Sequence, residues 1–167
     1  MALGNLIGFY HSERGSKAQT ARVAVAEARI SMRGATLAMV EANEIAKGDV
    51  LTVARIAAIQ AAKRCDELIP LCHSLPLDAL DVDFDIDREL PGIRVRCSAR
   101  VVARTGVEME AMTAASVAAL TIYDMCKAVD RDMQIDQLRL LRKEGGRTGL
   151  LPRFHAPRPG PSSRRFP

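Results

Sequence analysis

The chain has 167 residues and a mass of 18.2 kDa, which is enough for one domain or at most two small ones. Its hydrophobic content of 48% excludes wholesale disorder, and its longest uncharged apolar run, of 13 residues (111–123), is shorter than the roughly 20 residues of a membrane helix. The net charge is +4, but residues 142–167 carry seven Lys or Arg against one Glu, so the rest of the chain is nearly neutral and nucleic-acid binding is only weakly favoured.

The first 16 residues show no sustained period, and we treat residues 1–16 as a segment of uncertain structure. The apolar stretch 3–10 has no basic residue before it and no cleavage site after it, so a secretory signal is not expected. No two of the four cysteines have CxxC spacing, which argues against a structural zinc site. These features predict a reduced, cytoplasmic protein.

Helices and strands alternate through the next part of the chain. Val23 to Arg33 scatters apolar residues among alanines, and we predict a strand there although a helix also fits. Residues 36–43 suggest a short helix. The segment Lys47-Gly-Asp-Val50 is typical of a helix start, with Asp49 as N-cap of a helix that reaches about Arg64. Lys47 and the free N–H groups there could bind an anion, but plain capping is the favoured interpretation.

Pro70 ends this helical region, and residues 69–76 are expected to form an extended loop. Cys72 and His73 in that loop suggest a nucleophile and a base, but adjacent residues on an extended chain point in opposite directions. His73 acting alone on a phosphate and His73 as an ordinary histidine remain equally open.

Two alternating segments, 81–87 and 93–101, predict a β-hairpin with charges on one face and apolar residues on the other. We expect a register that pairs Asp87 with Arg94, Asp85 with Arg96, and Asp81 with Arg100. This charge ladder is expected to be structural rather than catalytic.

A long helix is predicted from Met109 to Val129 after the breaker Gly106. Glu108 and Glu110 flank its start, where the helix dipole alone would favour acids. Asp124 and Lys127 are three residues apart and therefore share a face. They could form a buried ion pair, or an acid and a base with shifted pKa values, and the sequence does not decide between these.

A final strand is predicted at 134–143, and the domain is expected to span 17–149. Residues 150–167 form a basic, proline-rich tail that we expect to be disordered. Helices alternating with strands around a hairpin predict an α+β fold in which one helical layer covers one antiparallel sheet.

Several longer motifs together resemble one family. The chain from about Lys17 to Gly149 resembles the MoaC family of cyclic pyranopterin monophosphate synthases of molybdenum cofactor biosynthesis. The residues that carry the resemblance are Lys47-Gly-Asp-Val50, Ala61-Ala-Lys-Arg64, Leu68-Ile-Pro-Leu-Cys-His73, Thr105-Gly-Val-Glu-Met-Glu-Ala111 and Ala118-Ala-Leu-Thr-Ile-Tyr-Asp-Met-Cys-Lys-Ala-Val129.

The resemblance implies a ferredoxin-like fold, with helices on one face of the sheet, assembled as a homohexamer of three dimers with active sites shared between subunits. It implies a lyase that converts (8S)-3′,8-cyclo-7,8-dihydroguanosine 5′-triphosphate to cyclic pyranopterin monophosphate with release of diphosphate. It places Asp124, Lys127 and Lys47 at catalytic positions. It also implies a set of substrate-binding residues, namely Leu71, Cys72, His73, Glu108, Met109, Glu110, Lys63 and, more weakly, Arg22.

The chain departs from the family pattern at two places. Ser12-Glu-Arg-Gly15 stands where the family usually has Met-Val-Asp-Val, and Ser74 stands where it usually has a proline after the histidine. The reaction demands no metal or redox cofactor. Apart from the small-molecule substrate and further copies of the chain, no nucleic-acid or membrane partner is expected. A small RNA-binding domain and a nucleotide sensor are the rival classes, and the scarcity of aromatic residues disfavours the first.

Overall fold

The computed structural model describes residues 18–146 and the backbone of residues 151–152. Its elements, in chain order, are β1 (Thr20–Ser31), α1 (Gly34–Glu41), α2 (Val50–Lys63), α3 (Cys65–Leu68), β2 (Ala79–Asp87), β3 (Gly92–Ala103), α4 (Glu108–Cys126), β4 (Gln134–Glu144) and β5 (Leu151–Pro152). The segment 1–16 and the tail beyond Pro152 lie outside the described residues. The first residues of the predicted tail, β5, pair with β4 at the edge of the sheet.

The strands form one antiparallel sheet in the order β2-β3-β1-β4-β5. Helices α2 and α4 connect β1 to β2 and β3 to β4, and α4 packs on β1, β3 and β4. A β-α-β-β-α-β order with its two central strands antiparallel is the ferredoxin-like arrangement. The predicted α+β fold with helices on one face is therefore confirmed.

The core between sheet and helices is built largely from alanine. Ala24, Ala26 and Ala28 of β1 are fully buried on the helix side of the sheet, and α4 buries an alanine row that includes Ala111, Ala115 and Ala118. Methyl side chains let a helix approach a sheet closely without leaving cavities. The segment for which the sequence allowed either a strand or a helix is therefore a strand, because its alternate residues are buried in one core.

The β2–β3 hairpin forms as predicted, but its register is shifted by two residues. Asp85 lies opposite Arg94 rather than Arg96, and Asp87 lies opposite Gly92. The physical reason is the turn, because Oδ1 of Asp87 accepts hydrogen bonds from the N–H groups of Glu89 (3.2 Å) and Leu90 (2.9 Å) and so closes a tight loop of residues 88–91. A shift of two keeps every side chain on its predicted face.

Two of the three predicted charge pairs survive this shift as diagonal contacts. Arg96 lies 3.5 Å from Asp85, and Arg100 lies 3.2 Å from Asp81. Diagonal neighbours on one face of a strand pair remain within reach of long side chains. The third pair, between Asp87 and Arg94, is replaced by the turn contacts of Asp87 and by a 3.8 Å approach of Arg94 to Glu27.

Candidate active site

The C-terminal end of α4 carries a cluster of two lysines around one carboxylate. Lys47 Nζ donates to Asp124 Oδ2 at 2.7 Å and to the Asp124 carbonyl oxygen at 2.8 Å. Lys127 Nζ lies 2.7 Å from the other carboxylate oxygen, Oδ1. Each oxygen of Asp124 is therefore held by a different ammonium group, and we call Lys47, Asp124 and Lys127 the lysine–aspartate cluster.

The turn before α2 brings Lys47 to this cluster. Gly48 has φ of 102°, a conformation that side-chain-bearing residues rarely adopt, and the chain reverses there. Asp49 then caps α2, accepting from the N–H of Thr52 at 2.9 Å and from the Thr52 hydroxyl at 2.7 Å. The capping interpretation is thus confirmed, because the Asp49 carboxylate occupies the helix start where an external anion would bind.

The lysine–aspartate cluster is exposed, so the predicted alternative of a buried ion pair is wrong for the single chain. The side chains of Lys47, Lys127 and Asp124 are 44%, 53% and 56% exposed. Hydrogen bonds from Lys127 and then Lys47 lower the pKa of Asp124 to about 2. The carboxylate is therefore ionised at neutral pH.

A cavity of about 360 Å³ opens beside the cluster and includes two residues that the sequence did not single out. Tyr123 and Arg131 line it together with Lys47 and Lys127. The Tyr123 hydroxyl donates to the carbonyl of Arg131 at 3.3 Å, which ties the turn after α4 to the helix. Three cationic side chains, Lys47, Lys127 and Arg131, line this cavity and make it suited to a polyanionic ligand.

A second cavity, of about 270 Å³, lies at the N-terminal end of α4. The structure brings together here two segments that the sequence kept far apart, the loop after α3 and the start of α4. The lining residues are Leu71, Cys72, His73, Leu75, Thr105, Gly106, Glu108, Met109 and Glu110. Six of the eight predicted substrate-binding residues therefore share one cleft.

Glu110 is the buried acid of this second cleft, only 4% exposed. Burial raises its pKa, and the neighbouring carboxylates Glu108 and Asp66 raise it further, against a lowering contribution from a backbone hydrogen bond. Glu108, by contrast, forms an ion pair with Lys143 of β4. The helix dipole can account for acids that stay at the surface, but it does not explain why Glu110 is buried.

Cys72 is not set up as a nucleophile. Burial raises the pKa of its thiol, and the Glu110 carboxylate adds to the effect, although a hydrogen bond with Cys65 opposes it. A thiol with a raised pKa is a weak nucleophile at neutral pH. This agrees with the poor geometry expected for a Cys72–His73 dyad.

The two remaining basic residues, Lys63 and Arg22, lie toward the same end of α4. Lys63 is the exposed last residue of α2, which runs antiparallel to α4 and is followed by Cys65, 3.4 Å from Thr113. Arg22 is only 8% exposed, and it donates to the carbonyls of Ala103 (3.2 Å) and Arg104 (3.3 Å). Its contacts hold the end of β3 where the chain enters the second cleft.

The predicted site residues thus divide between the two ends of one helix. Glu110 and Asp124 are 14 residues apart on α4, or about 21 Å along its axis. Within residues 18–146, no group of three or more His, Cys, Asp or Glu side chains is placed to hold a metal ion. None of the helices described here is long and apolar enough to cross a membrane.

Comparison with known proteins identifies relatives over most of the chain. A sequence model of the MoaC family matches residues 13–146. Cyclic pyranopterin monophosphate synthases of Brucella ovis and Chloroflexus aurantiacus are each 56% identical to this chain over 135 residues. The matches cover 81% of this chain and 82% and 83%, respectively, of those proteins.

Proposed function

Since the chain belongs to the MoaC family, we propose that it is a cyclic pyranopterin monophosphate synthase, a lyase of an early step in molybdenum cofactor biosynthesis. Its substrate is (8S)-3′,8-cyclo-7,8-dihydroguanosine 5′-triphosphate, and its products are cyclic pyranopterin monophosphate and diphosphate. One observation carries the chemical part of the proposal. The carboxylate of Asp124 contacts two lysines, and these lysines line an open cavity.

The lysine–aspartate cluster supplies the proton transfers in this proposal. Rearranging the ring and closing a cyclic phosphate both require protons to move, and a well-placed acid or base contributes about 10²–10⁴-fold to the rate. Asp124, with a pKa lowered to about 2, stays ionised and orients the two ammonium groups. Lys127 and Lys47 then donate and accept protons, and their positive charge attracts the triphosphate.

The second cleft binds the guanine-derived ring. The Glu110 carboxyl presents oxygen acceptors to the N–H donors of that ring, and Cys72, His73 and Met109 line the same space. Lys63, exposed at the end of α2, is assigned to the phosphates in this proposal. For Arg22 a phosphate contact stays a prediction, because two of its N–H groups already bind backbone carbonyls.

One active site in this proposal contains residues of two subunits, because one substrate cannot touch both ends of a single α4. The surface of α4 between the two ends supports this. Met109 and Leu120 are 37% and 57% exposed, and the hydroxyl of Ser116 between them is satisfied by the carbonyl of Met112 at 2.8 Å. Two exposed apolar side chains on one face of the helix, with a satisfied hydroxyl between them, allow the α4 of a second copy to pack there across a two-fold axis. The antiparallel pairing would place Glu110 of one subunit near Asp124 of the other.

The finer assembly that we propose is a cytoplasmic homohexamer made of three such dimers. Sedimentation or light scattering of the full chain tests it directly. A mass of six chains supports it, and a stable monomer that turns over substrate contradicts both the hexamer and the shared site.

The decisive experiment incubates the purified chain with the cyclised triphosphate and follows diphosphate and cyclic pyranopterin monophosphate. Stoichiometric formation of both is expected. A Lys127→Ala preparation, purified in parallel, controls for a contaminating host enzyme. Tight binding of the triphosphate, with the compound recovered unchanged, would instead indicate a nucleotide sensor.

A further inference from the structure

The turn that follows α4 contains a buried carboxylate with no role in the proposed chemistry. Asp130 is 1% exposed. Its Oδ2 accepts from the N–H of Arg33 at 2.8 Å and from the hydroxyl of Thr36 at 3.0 Å. Its Oδ1 accepts from the N–H of Asp132 at 3.3 Å and lies 3.3 Å from Nε of Arg33. Both oxygens are therefore engaged from several directions, which fixes the rotation of the group as well as its position.

Asp130 acts on α1 as a cap supplied by a distant part of the chain. The first turn of α1 holds no acidic residue, and its N-cap Arg33 provides no side-chain hydrogen bond. A negative charge at a helix start is stabilising. Burial, the largest single influence, raises the pKa of Asp130, but the hydrogen bonds from Arg33, Thr36 and Asp132 outweigh it and leave the pKa lowered. Asp130 is therefore an ionised anchor at neutral pH.

Three backbone hydrogen bonds to the last turn of α4 hold the segment that joins Asp130 to Lys127. The N–H of Lys127 donates to the Tyr123 carbonyl at 2.9 Å, and the N–H groups of Val129 and Asp130 donate to the Cys126 carbonyl at 2.9 and 3.0 Å. The Arg33 guanidinium also donates to the Val129 carbonyl. Residues 127–130 thus form one hydrogen-bonded turn whose far end is fastened to α1.

We propose that Asp130 is a positioning residue, which holds the Lys127 ammonium against the Asp124 carboxylate by anchoring the turn 127–130 to α1. The effect on turnover rests on the proposed function, whereas the effect on geometry does not. Without the anchor, the turn keeps its contacts to α4 but gains freedom to pivot. The distance between Lys127 Nζ and Asp124 Oδ1 then increases on average. A misplacement of about 1 Å in a catalytic group can cost 10²-fold in rate.

The test measures geometry and turnover separately in the full chain. Asp130→Ala removes the anchor, Asp130→Asn keeps an oxygen that accepts from Arg33 and Thr36, and Thr36→Val removes one donor. The first readout is the pKa of Asp124, followed by ¹³C NMR of carboxyl-labelled aspartate and assigned with Asp124→Asn. The second readout is kcat and KM with the cyclised triphosphate.

In Asp130→Ala we expect the pKa of Asp124 to rise from about 2 toward its ordinary value, because the Lys127 hydrogen bond is the largest cause of the lowering. We expect kcat to fall by about 10- to 100-fold with little change in KM. Asp130→Asn restores most of both properties. If Asp130→Ala does not fold, Thr36→Val gives the same test with a smaller rise in the pKa of Asp124.

The matched control is Asp87→Ala, which also removes a turn-holding carboxylate, one that accepts from two backbone N–H groups. It lowers stability but leaves the Asp124 titration and kcat unchanged. An Asp124 titration that is unchanged in folded Asp130→Ala and in Thr36→Val overturns the positioning role. A shifted titration with unchanged kcat supports the anchor and overturns the catalytic role proposed for Lys127, so the two failures are distinguishable.

Discussion

The two ends of α4 hold carboxylates in opposite environments. Asp124 is 56% exposed, and each of its oxygens is bonded to a lysine, which lowers its pKa to about 2. Glu110 is 4% exposed and has Glu108 and Asp66 as charged neighbours, and its pKa is raised first by burial and then by those carboxylates. The same helix therefore presents a carboxyl group that stays ionised at one end and one that resists ionisation at the other.

The proposed function uses this contrast to separate two tasks on one helix. Carboxyl groups whose surroundings shift their pKa values in opposite directions can take different chemical roles at the same pH. An ionised Asp124 orients lysines, whereas a desolvated Glu110 is suited to hydrogen bonding with a ligand.

The two groups also have opposite effects on the stability of the fold as pH changes. Asp124 contributes stability that is lost as pH falls through about 2, while Glu110 reduces stability as pH rises through its raised pKa.

The largest expected effect comes from breaking the lysine–aspartate cluster. Lys127→Ala and Asp124→Asn should each lower kcat by about 10²–10⁴-fold, because each removes the acid–base group or the group that orients it. Both proteins should remain folded, since the cluster is exposed. Diphosphate release with the cyclised triphosphate measures the effect, and circular dichroism monitors the fold.

Asp85→Asn is the matched control for this pair of variants. Asp85 is 53% exposed and lies 3.5 Å from Arg96 on the face of the sheet away from the helices, so it resembles Asp124 in exposure and in having a cationic partner. Its turnover should match that of the unaltered chain. Near-normal activity in either cluster variant would refute the catalytic assignment at that end of α4.

The next prediction joins the two ends across subunits. Glu110→Ala and Asp124→Asn should each be inactive alone and should regain activity when co-assembled. A dimer containing one subunit of each kind has one intact site and one doubly altered site, so up to half of its sites should work. Two affinity tags isolate the mixed assemblies. If verified mixed assemblies stay inactive, each site is built within one subunit.

Much of this arrangement could be predicted from local patterns in the sequence. Alternation fixes the faces of β2 and β3, the N-cap at Asp49 fixes the start of α2, and the spacing of Asp124 and Lys127 fixes their shared face. Charge pairing predicts a hairpin register that is wrong by two residues, because Asp87 sets the register through the turn. Local patterns also gave no sign of the short helix α3.

What the sequence could not supply was contact between distant segments. Nothing in the spacing joins Lys47 to Asp124 or Asp130 to Thr36, since those contacts exist only after α2 and α1 have packed. The sequence does not predict the burial of Glu110 either, because the helix dipole is an adequate local explanation for an acid in the first turn. A carboxylate just after a helix end, such as Asp130, was the one signal available for the anchor.

A smaller effect is expected when the buried acid is neutralised. Because the folded chain binds more protons than the unfolded chain between the ordinary and the raised pKa of Glu110, stability falls as pH rises through that window. Glu110→Gln cannot ionise, so it should melt at a higher temperature than the unaltered chain near pH 8 and at a similar one near pH 4. Each kcal/mol of difference corresponds to about 2–4 °C at this chain length.

Glu108→Gln is the control for that measurement, because Glu108 is less buried and is paired with Lys143. It should not raise the melting temperature near pH 8. If Glu110→Gln is also no more stable than the unaltered chain near pH 8, then the Glu110 carboxylate has stabilising partners. The contrast between the pKa values at the two ends of α4 is then weaker than the burial of Glu110 implies.

The smallest effect is expected on the sheet, at an exposed ion pair that belongs to neither of the two clefts described above. Arg100 and Asp81 are 3.2 Å apart and more than half exposed, as are Asp124 and Lys127, but they lie on the face of the sheet away from the helices. An exposed pair contributes at most about 1 kcal/mol, and salt screens it. Asp81→Asn and Arg100→Gln should therefore change the free energy of unfolding in urea by less than about 1 kcal/mol. They should leave kcat and KM unaltered. A drop in kcat in both variants would mean that exposed ion pairs on this chain affect turnover from across the sheet. The geometry of the lysine–aspartate cluster alone would then no longer justify its catalytic assignment.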